Sequence, residues 1–154
     1  MREILFKAKR VDNGEWVDGY LFDNGFDGEE KKYFIGGLII EKYNGTACDE
    51  WDITGIDFYE IDPETICQFT GLCDKNGKKI WENDILKTWP DEYAQVKFGL
   101  YSTGFASDDY NQGFYMDFMD NEYYRHELGY WAGKSVVIGN IFDNKELLQE
   151  ESDE

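Results

Sequence analysis

The chain is 154 residues long, 42% hydrophobic and 18% aromatic, which supports one domain or two small ones with a real core and argues against a disordered chain. Its 33 Asp and Glu outnumber 15 Lys and Arg, a formal net charge of −18. Such a surface repels phosphate backbones and anionic membranes, so neither direct nucleic-acid binding nor membrane attachment is expected. Three cysteines (Cys48, Cys67 and Cys73) and a single histidine, His126, are too few and wrongly spaced for a disulfide framework or a structural zinc site, and they suit a reducing compartment.

The elements follow in chain order. Ile4 to Val11 reads as a strand, Asp12-Asn13-Gly14 as a turn and Trp16 to Phe22 as the return strand, so the chain opens with a hairpin. Asp23 to Lys32, rich in Gly, Asp and Glu, reads as an exposed loop. Tyr33-Phe34-Ile35 and Leu38-Ile39-Ile40 are two short apolar runs broken by Gly36-Gly37, and Asn44-Gly45 is a further turn. Ile53 to Ile61 alternates loosely, Asp62-Pro63-Glu64-Thr65 punctuates, and Thr65 to Phe69 follows as a strand. No apolar leader and no run of about 20 apolar residues is visible, and a cytoplasmic protein is expected.

Thr70 to Lys87, TGLCDKNGKKIWENDILK, is the most specific stretch. Asp74-Lys75-Asn76-Gly77 carries residues that tolerate positive φ and predicts a tight turn; Glu82-Asn83-Asp84 predicts a second break before a strand at Ile85-Leu86. Asp84 to Trp89 and Tyr93 to Phe98 read as paired strands around Pro90-Asp91, and Phe105 to Tyr115 as a polar loop. Periodicity leaves Met116 to Leu128 open between strand and short helix. Ser135 to Phe142 reads as a buried strand, followed by a short terminal helix that Asp143 caps with Glu146 as its capping-box partner, and an acidic tail at 149–154.

The pattern predicts a mostly β protein. Short antiparallel strands form two packed β units, a hairpin-rich unit over 1–79 and a small barrel-like unit over 80–148, or one domain over 1–148, with a short C-terminal helix.

Three segments resemble the YopX family of phage and prophage proteins: MREILFKAKR at the start, DPETICQFTGLCDKNGKKIWENDILK in the middle and VVIGNIFDNKELL near the end. They occur in order and span nearly the whole chain. The resemblance implies a mostly β fold, an origin in a phage or integrated prophage, and residence in the host cytoplasm. It supplies no catalytic residues. Asn83 stands where such proteins usually have glycine, Cys73 where lysine is common, and Lys145 where proline is common; asparagine is the next most tolerant residue for a left-handed backbone.

The sequence nominates no catalytic, cofactor-binding or metal-ligating residue and no cofactor. Asp49, Glu50 and Asp52 form one acidic cluster and Asp57, Glu60, Asp62 and Glu64 another; in a chain with 33 acids these read as a solvated face rather than a cation site. Asp74 to Gly77 lacks the alternating carboxylates and terminal glutamate of a calcium loop. His126 beside Glu127 could be a catalytic pair, but it reads as a surface salt-bridge partner. Core packing is the expected role for most of Trp16, Trp51, Trp81, Trp89 and Trp131, with at least one of Trp81 and Trp89 buried; base stacking would need a basic groove, and Lys75, Lys78 and Lys79 are the only tight basic group.

The function expected is therefore that of a non-enzymatic phage accessory protein acting by protein interaction or self-association, as a homo-oligomer or with a host or phage protein. An acidic DNA mimic that inhibits a host nucleic-acid enzyme is the first alternative, and a metal-dependent hydrolase built around His126 the second.

Overall fold

The computed structural model describes residues 1–43, 50–89, 91–103, 108–119 and 125–149. The protein is mostly β, every strand pairing is antiparallel, and the chain divides into two compact units: Ile4–Gln68, and Met1–Glu3 with the chain from Phe69 onward.

In the N-terminal unit, β1 (Phe6–Lys9), β2 (Trp16–Asp23), β3 (Tyr33–Tyr43) and β4 (Glu50–Ile61) lie side by side in the order β4-β3-β2-β1, and the start of β5 (Cys67–Cys73) adds to β1 through Cys67 and Gln68. The opening hairpin is as its turn residues predict, with Gly14 at φ +71°. Val17, Leu21, Tyr33 and Ile35 point to one side, where Ala8, Ile35 and Ile61 form the buried centre with Phe6 and Ile66 against them. Asp62 accepts from the Glu64 N–H at the 3-10 turn Pro63–Thr65, so Thr65 closes that turn rather than opening β5.

Gly36-Gly37 does not break the apolar run. Tyr33 to Tyr43 is one strand, and Gly36 is needed for close approach: a Cβ there would stand 2.0 Å from the Asp57 carbonyl oxygen and 2.6 Å from Phe58 Cα. The expected turn at Asn44-Gly45 lies outside the described residues.

In the C-terminal unit, the end of β5 pairs with β6 (Lys79–Trp81), and β7 (Asp84–Thr88), β8 (Glu92–Ser102), β9 (Tyr110–Phe118) and β10 (Ser135–Asn140) form a sheet ordered β10-β7-β8-β9. No pairing joins its edge strands β10 and β9 into a barrel among the described residues. Ile80, Leu86, Val96, Met116 and Leu128 are fully buried in its core, with Phe118, Trp131 and Val137 around them.

Both breaks in the specific stretch are turns. Gly77 has φ +82° and Asn83 φ +69°. Asn83 is fixed at both ends: its N–H donates to Val96 O at 2.8 Å, its carbonyl accepts from the Ile141 N–H at 3.1 Å, and its Oδ1 accepts from Gln95 Nε2 at 3.1 Å.

Two further readings are corrected. Tyr110 to Phe118 is strand β9 rather than loop, because β8 pairs with it without interruption from Ala94↔Phe118 to Ser102↔Tyr110; residues 104–107 are not described. The chain's α-helical turn is α1 (Leu128–Trp131), whereas the terminal element, Lys145–Leu148, is a 3-10 turn that follows Asn144 with no side-chain cap. Asp143 does not cap it: the residue before the turn is Asn144, and the Asp143 carboxylate accepts from Asn140 Nδ2 at 3.1 Å, while Asn140 Oδ1 accepts from the N–H groups of Phe142 and Asp143, which makes Asn140 the organiser of that corner.

Candidate interaction surface

The residues flagged from sequence do not come together into a reactive centre. His126 is half-buried with Nδ1 3.1 Å from the Met116 carbonyl oxygen, and Glu127 is bound by Arg125 (Nη2 to Oε1 2.7 Å). The hydrogen bond from Arg125 holds the Glu127 carboxyl below its ordinary range. Of the acidic clusters, Asp52, Asp57 and Glu64 are exposed, Glu60 lies 3.6 Å from Lys32 Nζ, and Asp62 holds its own turn; Asp49 and the Glu50 side chain fall outside the described residues. Among the described residues no three His, Cys, Asp or Glu side chains are grouped to hold a metal ion. Cys67 is buried and Cys73 exposed, while Cys48 is not described.

The tryptophans depart from the core reading. Trp81 and Trp131 are buried, Trp81 against Phe69 and Trp131 edge-on to Phe118 with its indole N–H donating to the Arg125 carbonyl. Trp16 is half-buried under Lys7 and Lys9, and Trp51 and Trp89 are 68% and 86% exposed. Strand ends project these rings past the edge of each core, so aromatic content alone overstates core size. Of the basic group, Lys79 sits over the Phe69 ring and 3.6 Å from Glu3, so it does not line a groove for phosphates.

The feature that stands out is one side of the N-terminal sheet. Opposite the buried centre, register places Tyr20 and Phe22 of β2, Phe34, Leu38 and Ile40 of β3, and Ile56 and Phe58 of β4 on a single face. Tyr20 is 64% exposed, Leu38 54% and Ile56 58%. Strict alternation would turn Ile53 to the other side. A bulge prevents this: the register shifts between Ile39 and Ile40, so Thr54 and Gly55 together oppose Ile39, and Ile53 and Trp51 return to the apolar face opposite Ile40 and Lys42. The reverse side of the same hairpin carries Glu41, Asp52 and Asp57, all exposed, with the exposed Ile39 among them. The hairpin is therefore amphipathic with its apolar side in water, the inverse of a normal half-buried sheet.

Within this face Phe22, Phe34 and Phe58 pack as a triad, with centroids 5.4 to 5.8 Å apart. Beside them, over Gly36 and Gly37, lies a depression of about 550 Å³ walled by Tyr20, Phe22, Leu38, Ile40 and Ile56. The rim is cationic, against the charge of the whole chain. Lys7 and Lys9 flank Trp16 on one border, Lys42 lies over Trp51 at the far end, and Lys32 meets Glu60 at the near end. Such a surface can bind an apolar partner; it offers no nucleophile or acid–base pair.

Sequence reasoning missed this face. The signal was present, since β3 is apolar at successive positions on both its sides from Phe34 to Ile40, which in a sheet with one solvated face is a surplus.

No helix among the described residues is long and apolar enough to cross a membrane. No curated protein matches the chain. Among solved structures it is similar to the crystal structure of protein EF1440 from Enterococcus faecalis, at 22% identity and a TM-score of 0.50, over 97% of this chain and 100% of that one; this likeness bears on fold alone. The family model described as YopX protein matches residues 6–149, nearly the full chain, and the protein belongs to the YopX family.

Proposed function

We propose that this YopX-family chain is a phage- or prophage-encoded accessory protein of the host cytoplasm that has no catalytic activity of its own and works by binding protein through the apolar face of β2, β3 and β4. The observation that carries this reading is the exposure of Tyr20, Leu38, Ile40, Trp51, Ile53 and Ile56 on one continuous face backed by acids. Monomeric soluble proteins rarely leave a patch of this extent uncovered unless it binds something. The acid excess elsewhere keeps the protein soluble and away from nucleic acid.

The test is quantitative affinity recovery from prophage-induced cells with the wild-type chain and with Ile56→Lys. The binding reading predicts a defined protein recovered by the wild type and lost with Ile56→Lys. An identical set recovered by both would refute the assignment of function to this face.

A further inference from the structure

We propose that the occupant of this face is a second copy of the chain, stacked face to face and antiparallel as a two-fold dimer. The inference rests on the binding-face reading above and names its partner.

Area is the first argument. The eight large side chains of the face other than Phe34 are between 39% and 68% exposed. At roughly 150–250 Å² for a whole large side chain, about half of it in water, they present roughly 600–1,000 Å². That range spans the contribution of one partner to a standard stable interface, about 800 Å².

Charge is the second. A heterologous partner selected by the −18 charge would be basic, yet the face itself is apolar and its rim carries Lys7, Lys9, Lys32 and Lys42 against Asp18 and Glu60. The acids of the hairpin, Glu41, Asp52 and Asp57, are on its reverse side. Two copies can join these faces while their acid excess stays outward, where water and salt screen it.

Shape is the third. A two-fold axis lying between the sheets and across the strands, near Gly37, superposes position 38 of one copy on position 36 of the other. Leu38, 54% exposed, then faces the depression over Gly36 of the second copy, twice per dimer. The same operation lays Phe34 over Ile40 and Phe58 over Ile56 of the other copy, and sets Lys42 against the Lys32–Glu60 pair there. An isologous interface requires this self-complementarity, and face-to-face sheets pack at about 10 Å by interdigitating such side chains.

Sedimentation velocity of the full chain tests this. The expected result is a species of twice the 18.1 kDa chain mass for the wild type. Leu38→Lys and Ile56→Lys, at positions exposed in the single chain and therefore compatible with folding, are expected to weaken association by about 100-fold or more with unchanged far-ultraviolet circular dichroism. Leu100→Lys, at an exposed position of the C-terminal unit, leaves the dimer intact. A wild-type monomer, or a dimer that survives Leu38→Lys and Ile56→Lys, overturns the inference. A wild-type monomer whose partner recovery from cells is still lost with Ile56→Lys overturns the dimer alone and leaves the binding face standing.

Discussion

Asp74 gives the sharpest stability prediction. The residue is 6% exposed; Oδ1 accepts from the backbone N–H of Asn76 at 2.8 Å and of Lys78 at 3.0 Å, and Oδ2 from that of Val137, 63 residues away, at 3.0 Å. One side chain thus shapes the turn and ties it to β10. Burial pushes this carboxyl up, and the hydrogen bonds from Val137, Lys78 and Asn76 outweigh it, leaving Asp74 below the ordinary carboxylate range. In Asp74→Ala the two turn donors regain water, at about 0.5 kcal/mol each, whereas the Val137 N–H is left unpaired in the core at about 2 kcal/mol. The expected loss is about 3 kcal/mol, or roughly 12–24 °C in the transition of the unit that holds it. Asp74→Asn keeps an acceptor for the turn but presents an N–H to the Val137 N–H, so it costs about 2 kcal/mol. Because the native value is lowered, this stabilisation is complete above the unfolded value of about 3.9 and is lost as pH falls through the native value. Urea unfolding followed by tryptophan fluorescence, at pH 7 and through pH 5 to 2.5, measures both effects. A loss for Asp74→Asn under about 0.5 kcal/mol at pH 7, or a wild-type-to-variant gap that does not narrow in acid, would refute the reasoning.

Three further outcomes are expected in the same assay. Gly36→Ala forces backbone apart at the Asp57 carbonyl, 2.0 Å from the added Cβ, and costs about 2 kcal/mol. Asn83→Gly stays within about 0.5 kcal/mol of wild type, since relief of the left-handed backbone offsets the lost Gln95 bond, whereas Asn83→Val costs about 2–3 kcal/mol; equal effects of the two would contradict the turn account. Trp131→Ala, at a core position edge-on to Phe118, costs about 4 kcal/mol, and Trp89→Ala, at an 86% exposed position, less than about 0.5 kcal/mol.

The turns were legible because their residues act locally. Asp74 to Gly77, Asn83 and Asp12 to Gly14 each have a backbone preference that needs no distant partner. Elements decided by pairing were not. Gly36 looks like a break from sequence, and only the nearness of Asp57 and Phe58 makes it a strand residue. Tyr110 to Tyr115 is polar enough to pass for a loop until β8 supplies its ladder. Asp143 has the right offset from Glu146 for a capping box, yet the turn starts after Asn144 and the Asn140 side-chain amide occupies the Asp143 carboxylate. The candidate surface was hidden for a related reason. Phe34 to Ile40 is apolar on both sides, so composition shows a surplus without saying which side is buried, and the bulge at Thr54-Gly55 that gathers Ile53 and Trp51 onto the open side is a tertiary event.

The central claim is that the protein works through the open face of β2, β3 and β4. Hydroxyl-radical footprinting with mass-spectrometric readout tests it most directly, on the wild type and on Ile56→Lys in extract of prophage-induced cells. Tyr20, Phe22, Trp51 and Phe58 are expected to react less in the wild type than in Ile56→Lys while Trp89 reacts equally in both. Equal labelling of the four face residues in the two chains would contradict the account.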